Sequence, residues 1–296
     1  MLSILIPIYA YNVLPLVTEL QKQCEKELLE YEILCQDDAS FSECNIENER
    51  INLLPNCSFV ALSKNVAHRE NRNKLAEQAK YEYLLFVDGD SICSSPTYIQ
   101  KFISSINNFD VVYGGRLHPS TCPSDKQKLR WKYGFYIEDQ LADARKKRPY
   151  SSLLFNNTLI KKECFNQIKF DRNMKKYGHD DTQLAFELNL LQASVLHIDN
   201  QIEHGAIDTN SIYLNKTKES LENILQLYDE QKISISFLRI VTLLDFLKRS
   251  KLFYPISILY VFFEKQLYKN LVGNHPNLLF FTAFRVGYLC QLLRKK

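Results

Sequence analysis

Short apolar runs alternate with amphipathic stretches through the first half of the chain. Leu2 to Ile6, Glu32 to Gln36, Ser58 to Leu62 and Tyr83 to Val87 are rich in branched and aromatic residues, which predicts strands. Between them, about Leu14 to Leu29 and Glu70 to Ala79 carry apolar positions at helical spacing. Strands alternating with helices predict crossover units and an α/β fold with a mostly parallel central sheet. Ligands of such sheets bind beyond the carboxyl ends of the strands. Asp37-Asp38 and Asp88-Gly89-Asp90 fall at two of those ends, so both acidic pairs are expected to face one cleft.

The second half continues less regularly. A strand from Asp110 to Tyr113 ends in Gly114-Gly115, which suits a sharp turn or a close backbone approach. Ser152 to Asn157 predicts a strand leading into a short helix around Lys161 to Phe165. Gly178-His179-Asp180-Asp181 then precedes a helix with Leu184, Ala185, Leu188 and Leu191 on its apolar positions, placing Asp181 or Thr182 at a helix N-terminus. From Ser211 the chain becomes helical, and from Ser236 strongly apolar, aromatic and basic. Leu252 to Phe263 and Leu278 to Leu293 fall short of the roughly twenty apolar residues that span a bilayer, and Arg285 interrupts the second. Lys248, Arg249, Lys251, Lys265, Lys269, Arg294, Lys295 and Lys296 flank them. Two readings stand: helices lying in the interface of an anionic membrane, or a helical pair packed on the main domain or on a homodimer partner.

Composition narrows the class. The 296 residues, 46% hydrophobic and 24% charged, allow a large core with an appended region. A net charge of +3 argues against a nucleic-acid partner. Eight cysteines without a Cys-x-x-Cys pair support neither a zinc knuckle nor a disulfide framework, so reduced thiols are expected. Met1 leads straight into the first apolar run with no basic segment before it, so a cytoplasmic protein is expected, peripheral at the inner face of the cytoplasmic membrane on the first reading of the tail. Between Pro119 and Pro149 lie Lys126, Lys128, Arg130, Lys132, Arg145, Lys146, Lys147 and Arg148, either a solvated face and loop or a flap over an anionic ligand.

The chemistry centres on Asp88-Gly89-Asp90. Two carboxylates at one strand end repel unless a cation lies between them, and a hard divalent metal prefers such oxygens. The same three residues also make an ordinary turn.

Order decides between these. Ser3-Ile4-Leu5-Ile6-Pro7-Ile8-Tyr9, Glu32 to Ser40 with Asp37-Asp38, the stretch holding Asn65, Arg69, Arg72 and Asn73, Asp88-Gly89-Asp90, Gly178-His179-Asp180-Asp181 and Glu203-His204-Gly205 follow one another as in glycosyltransferase family 2. The chain resembles these proteins, which have the GT-A fold, over roughly 2–205. Ala10 stands where the family usually has Asn, Ala39 where it has Gly, and His68 where Gly is common.

The resemblance implies a catalytic domain over 1–210, its nucleotide-sugar half 1–115 and acceptor half 116–210, followed by a helical region over 211–296. It implies inverting transfer of a sugar from a nucleotide diphosphate donor to an acceptor hydroxyl, with Mn2+ or Mg2+, in polysaccharide or glycolipid biosynthesis. The acceptor would be a saccharide or a lipid-linked intermediate. Asp90 would be the main metal ligand and His204 a further ligand or phosphate contact. Asp88 would contact the donor's ribose or sugar, or reach the metal through water. Pro7, Tyr9, Asp38 and Gly89 would border the nucleotide, while Asp37 supports the loop. Arg69 and Arg72, three apart and so on one helix face, would meet the diphosphate. Asp181 would be the base, with Asp180 second, and His179 would tune their surroundings. A chain that keeps the fold as a nucleotide-sugar-binding scaffold without turnover is the alternative.

Overall fold

The computed structural model describes residues 1–174 and 176–296. In chain order the elements are β1 (Leu2–Ile8), α1 (Leu14–Lys26), β2 (Tyr31–Asp37), α2 (Cys44–Asn48), β3 (Cys57–Ala61), α3 (His68–Gln78), β4 (Tyr83–Val87), β5 (Ser91–Ile92), α4 (Tyr98–Ile103), β6 (Val111–Tyr113), β7 (Arg116–Leu117), α5 (Lys128–Tyr133), α6 (Ala142–Arg145), β8 (Asn157–Lys161), α7 (Lys162–Ile168), α8 (Asp180–Leu190), β9 (Val195–His197), β10 (Ile202–His204), α9 (Asn210–Asp229), α10 (Arg239–Ser250), α11 (Phe253–Val272) and α12 (Leu278–Lys295).

The chain divides into two compact units. The first comprises 1–117, 139–172 and 187–206, and the second 118–138, 173–186 and 207–296.

The first unit holds a seven-stranded sheet of order β3-β2-β1-β4-β8-β6-β9 and a three-stranded sheet of order β5-β10-β7. In the large sheet β8 runs against β4 and β6, and the other six strands run together. The mostly parallel α/β architecture is therefore as the alternation predicts. β1 and β4 are buried along their whole length, which is why they read as continuous apolar runs rather than alternating ones. Behind β4, Phe86 meets Phe155 edge-on at 5.9 Å and Phe165 at 5.0 Å.

The predicted strand at Ser152 to Asn157 is displaced. Asn157–Lys161 is the strand, and Leu153 and Phe155 are buried in the turn before it. Residues 157–161 find partners in both β4 and β6, whereas burial alone satisfies Leu153 and Phe155. Gly114 and Gly115 lie where backbone and side chains crowd. A Cβ on Gly114 would come within 2.5 Å of the Asn200 carbonyl, and Gly115 has φ +95° beside the Arg145 guanidinium.

That arginine is not the solvated or ligand-facing cation its segment suggested. Arg145 is 4% exposed and donates to the carbonyls of Gln140, Gly114 and Ile198, with Tyr113 beneath it. In the second unit Arg130 is likewise buried, donating to Glu138 at 2.8 Å and lying over Tyr213.

The second unit has two apolar clusters. Val241, Leu244 and Leu247 at helical spacing on α10 pack with Ile224 of α9 and Leu289 and Leu293 of α12. Tyr260 and Leu271 of α11 pack with Phe281 and Phe284 of α12. Among the described residues no helix is long and apolar enough to cross a membrane.

Candidate active site

Register brings three strand ends together. Ile8 pairs with Asp37 across β1 and β2, and Leu5 pairs with Phe86 across β1 and β4, so Tyr9, Asp38 and Asp88 follow adjacent carboxyl ends. A cavity of about 210 Å³ opens there, lined by Pro7, Tyr9, Asp38, Asn65, His68 and Asn71. Tyr9 is 66% exposed, a ring face open to a ligand beside the cavity.

The two aspartates of the β2 end have separate roles. Asp37 is buried and accepts from the amide and hydroxyl of Ser40 at 2.8 and 2.7 Å, from Asn45 and from the Ala10 amide. It ties two loops together. Asp38 lies on the cavity wall, with one oxygen accepting from the Val66 amide at 2.6 Å. Burial raises its pKa and the amides of Val66 and Ala67 oppose that rise.

The first turns of α3 present a polar buried face: Arg69, Asn71, Arg72 and Asn73 all lie inside. Asn71 exchanges hydrogen bonds with the Gln36 side chain and carbonyl at 2.8 and 3.0 Å. Asn73 clamps the backbone of Phe170 from both sides. Arg72 is 2% exposed, donates to Asp88 at 2.6 Å and lies 5.2 Å over the Phe170 ring. Its guanidinium thus holds the Asp88 carboxylate in place. Arg69 is also buried on this face. Burial would raise the Asp88 pKa, but Arg72, His68 and His204 outweigh it and hold the carboxyl below the usual range. Asp88 is therefore an anion at neutral pH.

Gly89 sits in a tight place. A Cβ there would come to 3.0 Å from the Pro7 carbonyl and 3.3 Å from Val13. The turn it permits delivers Asp90, whose backbone carbonyl accepts from the Gly205 amide at 2.8 Å as β5 and β10 pair antiparallel. That pairing sets His204 Nδ1 at 3.2 Å from the Asp90 carboxylate. Two predicted ligands 114 positions apart in the sequence thus meet.

Among the described residues, no group of three or more His, Cys, Asp or Glu side chains is arranged to hold a metal. An oxygen-seeking cation held partly by substrate phosphates needs only one or two protein carboxylates, and Asp90, a quarter exposed with His204 beside it, fits that demand.

In the second unit, Asp180 and Asp181 open α8, where free amides and the helix dipole favour carboxylates. The turn before them uses two successive left-handed residues, Gly178 at φ +84° and His179 at φ +63°. Asn223 holds the Gly178 carbonyl. His179 Nδ1 lies 3.2 Å from the Thr182 hydroxyl, and burial, with Arg285 adding to it, pushes its pKa down to about 4. The imidazole is neutral at pH 7, so it places no cation beside the two carboxylates.

Sequence reasoning passed over Asn71 and Tyr11. Asn71 lines the cavity, and the signal was present: four polar residues fall together where an amphipathic helix would bury apolar ones. Tyr11 carries its signal only in the fold, since its hydroxyl lies where a Cβ on Gly205 would meet it at 3.0 Å, and the Asp90 charge adds to burial in raising its pKa.

Comparison with known proteins bears on the family and the fold. The chain matches the family Glycosyl transferase family 2 over residues 3–169. Its fold is similar to the mannosyltransferase PcManGT of Pyrobaculum calidifontis, solved with GDP-Man and Mn2+, with a TM-score of 0.59 at 12% identity over 99% of this chain and 86% of that one. It is also similar to TarS of S. aureus, with a TM-score of 0.53 at 16% identity over 97% of this chain and 54% of that one. Comparison with curated proteins finds no match. With its family match covering more than half its length, and the strand ends and motifs in family order, the chain belongs to glycosyl transferase family 2 and is a glycosyltransferase of GT-A fold.

Proposed function

We propose that this protein transfers a sugar, with inversion, from a nucleotide diphosphate sugar to the hydroxyl of a saccharide or lipid-linked acceptor in polysaccharide or glycolipid biosynthesis, the catalytic region spanning 1–210. The observation that carries the reading is the convergence at one sheet edge of the Asp38 cavity, the Arg72–Asp88 pair and the Asp90–His204 pair. Pro7, Tyr9 and Asp38 hold the nucleoside, Asp38 by hydrogen bonding and Tyr9 by its exposed ring. Asp88, fixed by Arg72, accepts from donor hydroxyls, and Gly89 lets the donor come close to the protein backbone. Arg69 contributes positive charge towards the diphosphate. Asp90 and His204 would hold a divalent cation, Mn2+ or Mg2+; the mannosyltransferase of similar fold was solved with Mn2+. When bound, that ion stabilises the negative charge that gathers on the leaving diphosphate.

The acceptor oxygen bonds to the anomeric carbon from the face opposite the diphosphate, which leaves with the bonding pair. Asp181 takes the hydroxyl proton, with Asp180 beside it as the second carboxylate.

A panel of nucleotide sugars with Mn2+ or Mg2+ tests this. At least one donor is turned over, chelation abolishes turnover, and Asp90→Ala and Asp181→Ala each lower kcat by about a hundredfold or more. Full turnover in both variants overturns the residue roles, and NMR of the product's anomeric centre decides inversion. Nucleotide binding without turnover favours a scaffold.

A further inference from the structure

α11 is apolar on both faces. Its inner face buries Ser257, Tyr260 and Leu271. Its outer face leaves Tyr254 51%, Ile258 61%, Leu259 59%, Val261 48%, Phe262 74% and Phe263 47% exposed. At helical spacing Tyr254, Ile258, Val261 and Phe262 form one stripe, which Lys265 and Lys269 continue into the last turns. A helix that is hydrophobic all round is normally enclosed by protein or by lipid, and a soluble surface seldom leaves so large an apolar patch open.

Charge says what covers it. Residues 251–296 carry seven Lys and Arg against one acid, Glu264. That acid is taken, since Lys218 lies 3.3 Å from it and the Tyr260 hydroxyl donates to it at 3.0 Å. Lys251 stands at the N-terminal end of the exposed stripe, and Lys265 and Lys269 at the other. A second copy of the chain meeting this face about a twofold axis would set lysines against lysines with no carboxylate between them.

We infer that the outer face of α11 is a membrane-docking surface: the helix lies in the plane of an anionic bilayer, with Ile258 and Phe262 entering the acyl boundary and Lys251, Lys265 and Lys269 on the headgroup phosphates. None of these residues belongs to the proposed sugar-transfer site, so the docking stands or falls independently of it.

The test is co-sedimentation of the full chain with vesicles of phosphatidylcholine, alone or with about 30% phosphatidylglycerol. The protein sediments with the anionic vesicles, and binding falls at least about tenfold with neutral vesicles or on raising salt from about 0.1 to 0.5 M. Ile258→Ser with Phe262→Ser weakens binding by about tenfold or more, and Lys265→Gln with Lys269→Gln by about tenfold. The first pair is solvent-facing, so its thermal unfolding midpoint stays at the wild-type value. Phe262→Trp gives an independent readout, a blue shift in emission on anionic vesicles. Failure of the wild type to sediment, variants that bind like it, or a dimer in light scattering that the Ile258/Phe262 variant splits while vesicle binding is absent would each overturn the inference.

Discussion

Three alanines have left-handed φ values: Ala10 at +53° and Ala39 at +54°, each two residues past a strand, and Ala67 at +70°, just before α3. A Cβ in that region costs about 1–2 kcal/mol. Two of the three are positions where the sequence departs from its family, Ala10 for Asn and Ala39 for Gly, and those family residues are the ones that tolerate this conformation. The departures were legible; that the backbone takes a positive φ at both positions despite them was not. Ala39→Gly should raise stability by up to about 1 kcal/mol, read as a higher urea midpoint with unchanged slope. His197 gives a prediction in pH. Its Nε2 donates to the Pro149 carbonyl at 2.8 Å and its Nδ1 faces Arg145, so only the neutral ring fits, and burial, with Arg145 and Lys146, pushes its pKa down to about 4. The folded pKa lies below the unfolded value near 6.5, so the unfolded chain binds the proton first, and stability present above pH 6.5 is lost as pH falls towards 4. At pH 5 the loss is about 2 kcal/mol. In His197→Gln the difference in urea midpoint between pH 7 and pH 5 should shrink accordingly. Asp90 and His204 show the reach of sequence reasoning at this scale: motif order named both, but only the β5–β10 pairing shows that they touch.

Among elements, periodicity reads best where one face or both are buried. Tyr83–Val87 was predicted to the residue, and the other strands of the parallel half within two at each end. It reads worst around 152–161, where apolar residues buried in a turn imitate a strand and Asn157, a strand residue, serves the interior by donating to the carbonyls of Gly115 and Asn200. β5, β7 and β10, of two or three residues each, leave no periodic trace at all. In the C-terminal helices the crossing of α11 and α12 depends on Gly287, where a Cβ would stand 2.3 Å from the Tyr260 ring. Gly287→Val should therefore cost about 1–3 kcal/mol by overpacking, seen as a lower thermal midpoint, even though it improves helix propensity.

At the scale of the whole molecule, charge is divided rather than balanced: the strongly basic residues 251–296 sit in a chain whose net charge is only +3, so the remainder is acidic overall. Bulk composition hid a local field. The second unit gathers 118–138, 173–186 and 207–296, segments that periodicity alone gives no reason to join. During synthesis the first two emerge well before α9 to α12, the helices that carry most of their unit's core. They must wait, with their apolar side chains unshielded, until α9 to α12 have left the ribosome, which makes the nascent chain a natural client for chaperones. A chain ended at residue 206 would strand both segments permanently. It should accumulate as aggregate rather than as a smaller folded protein, as the insoluble fraction on expression will report.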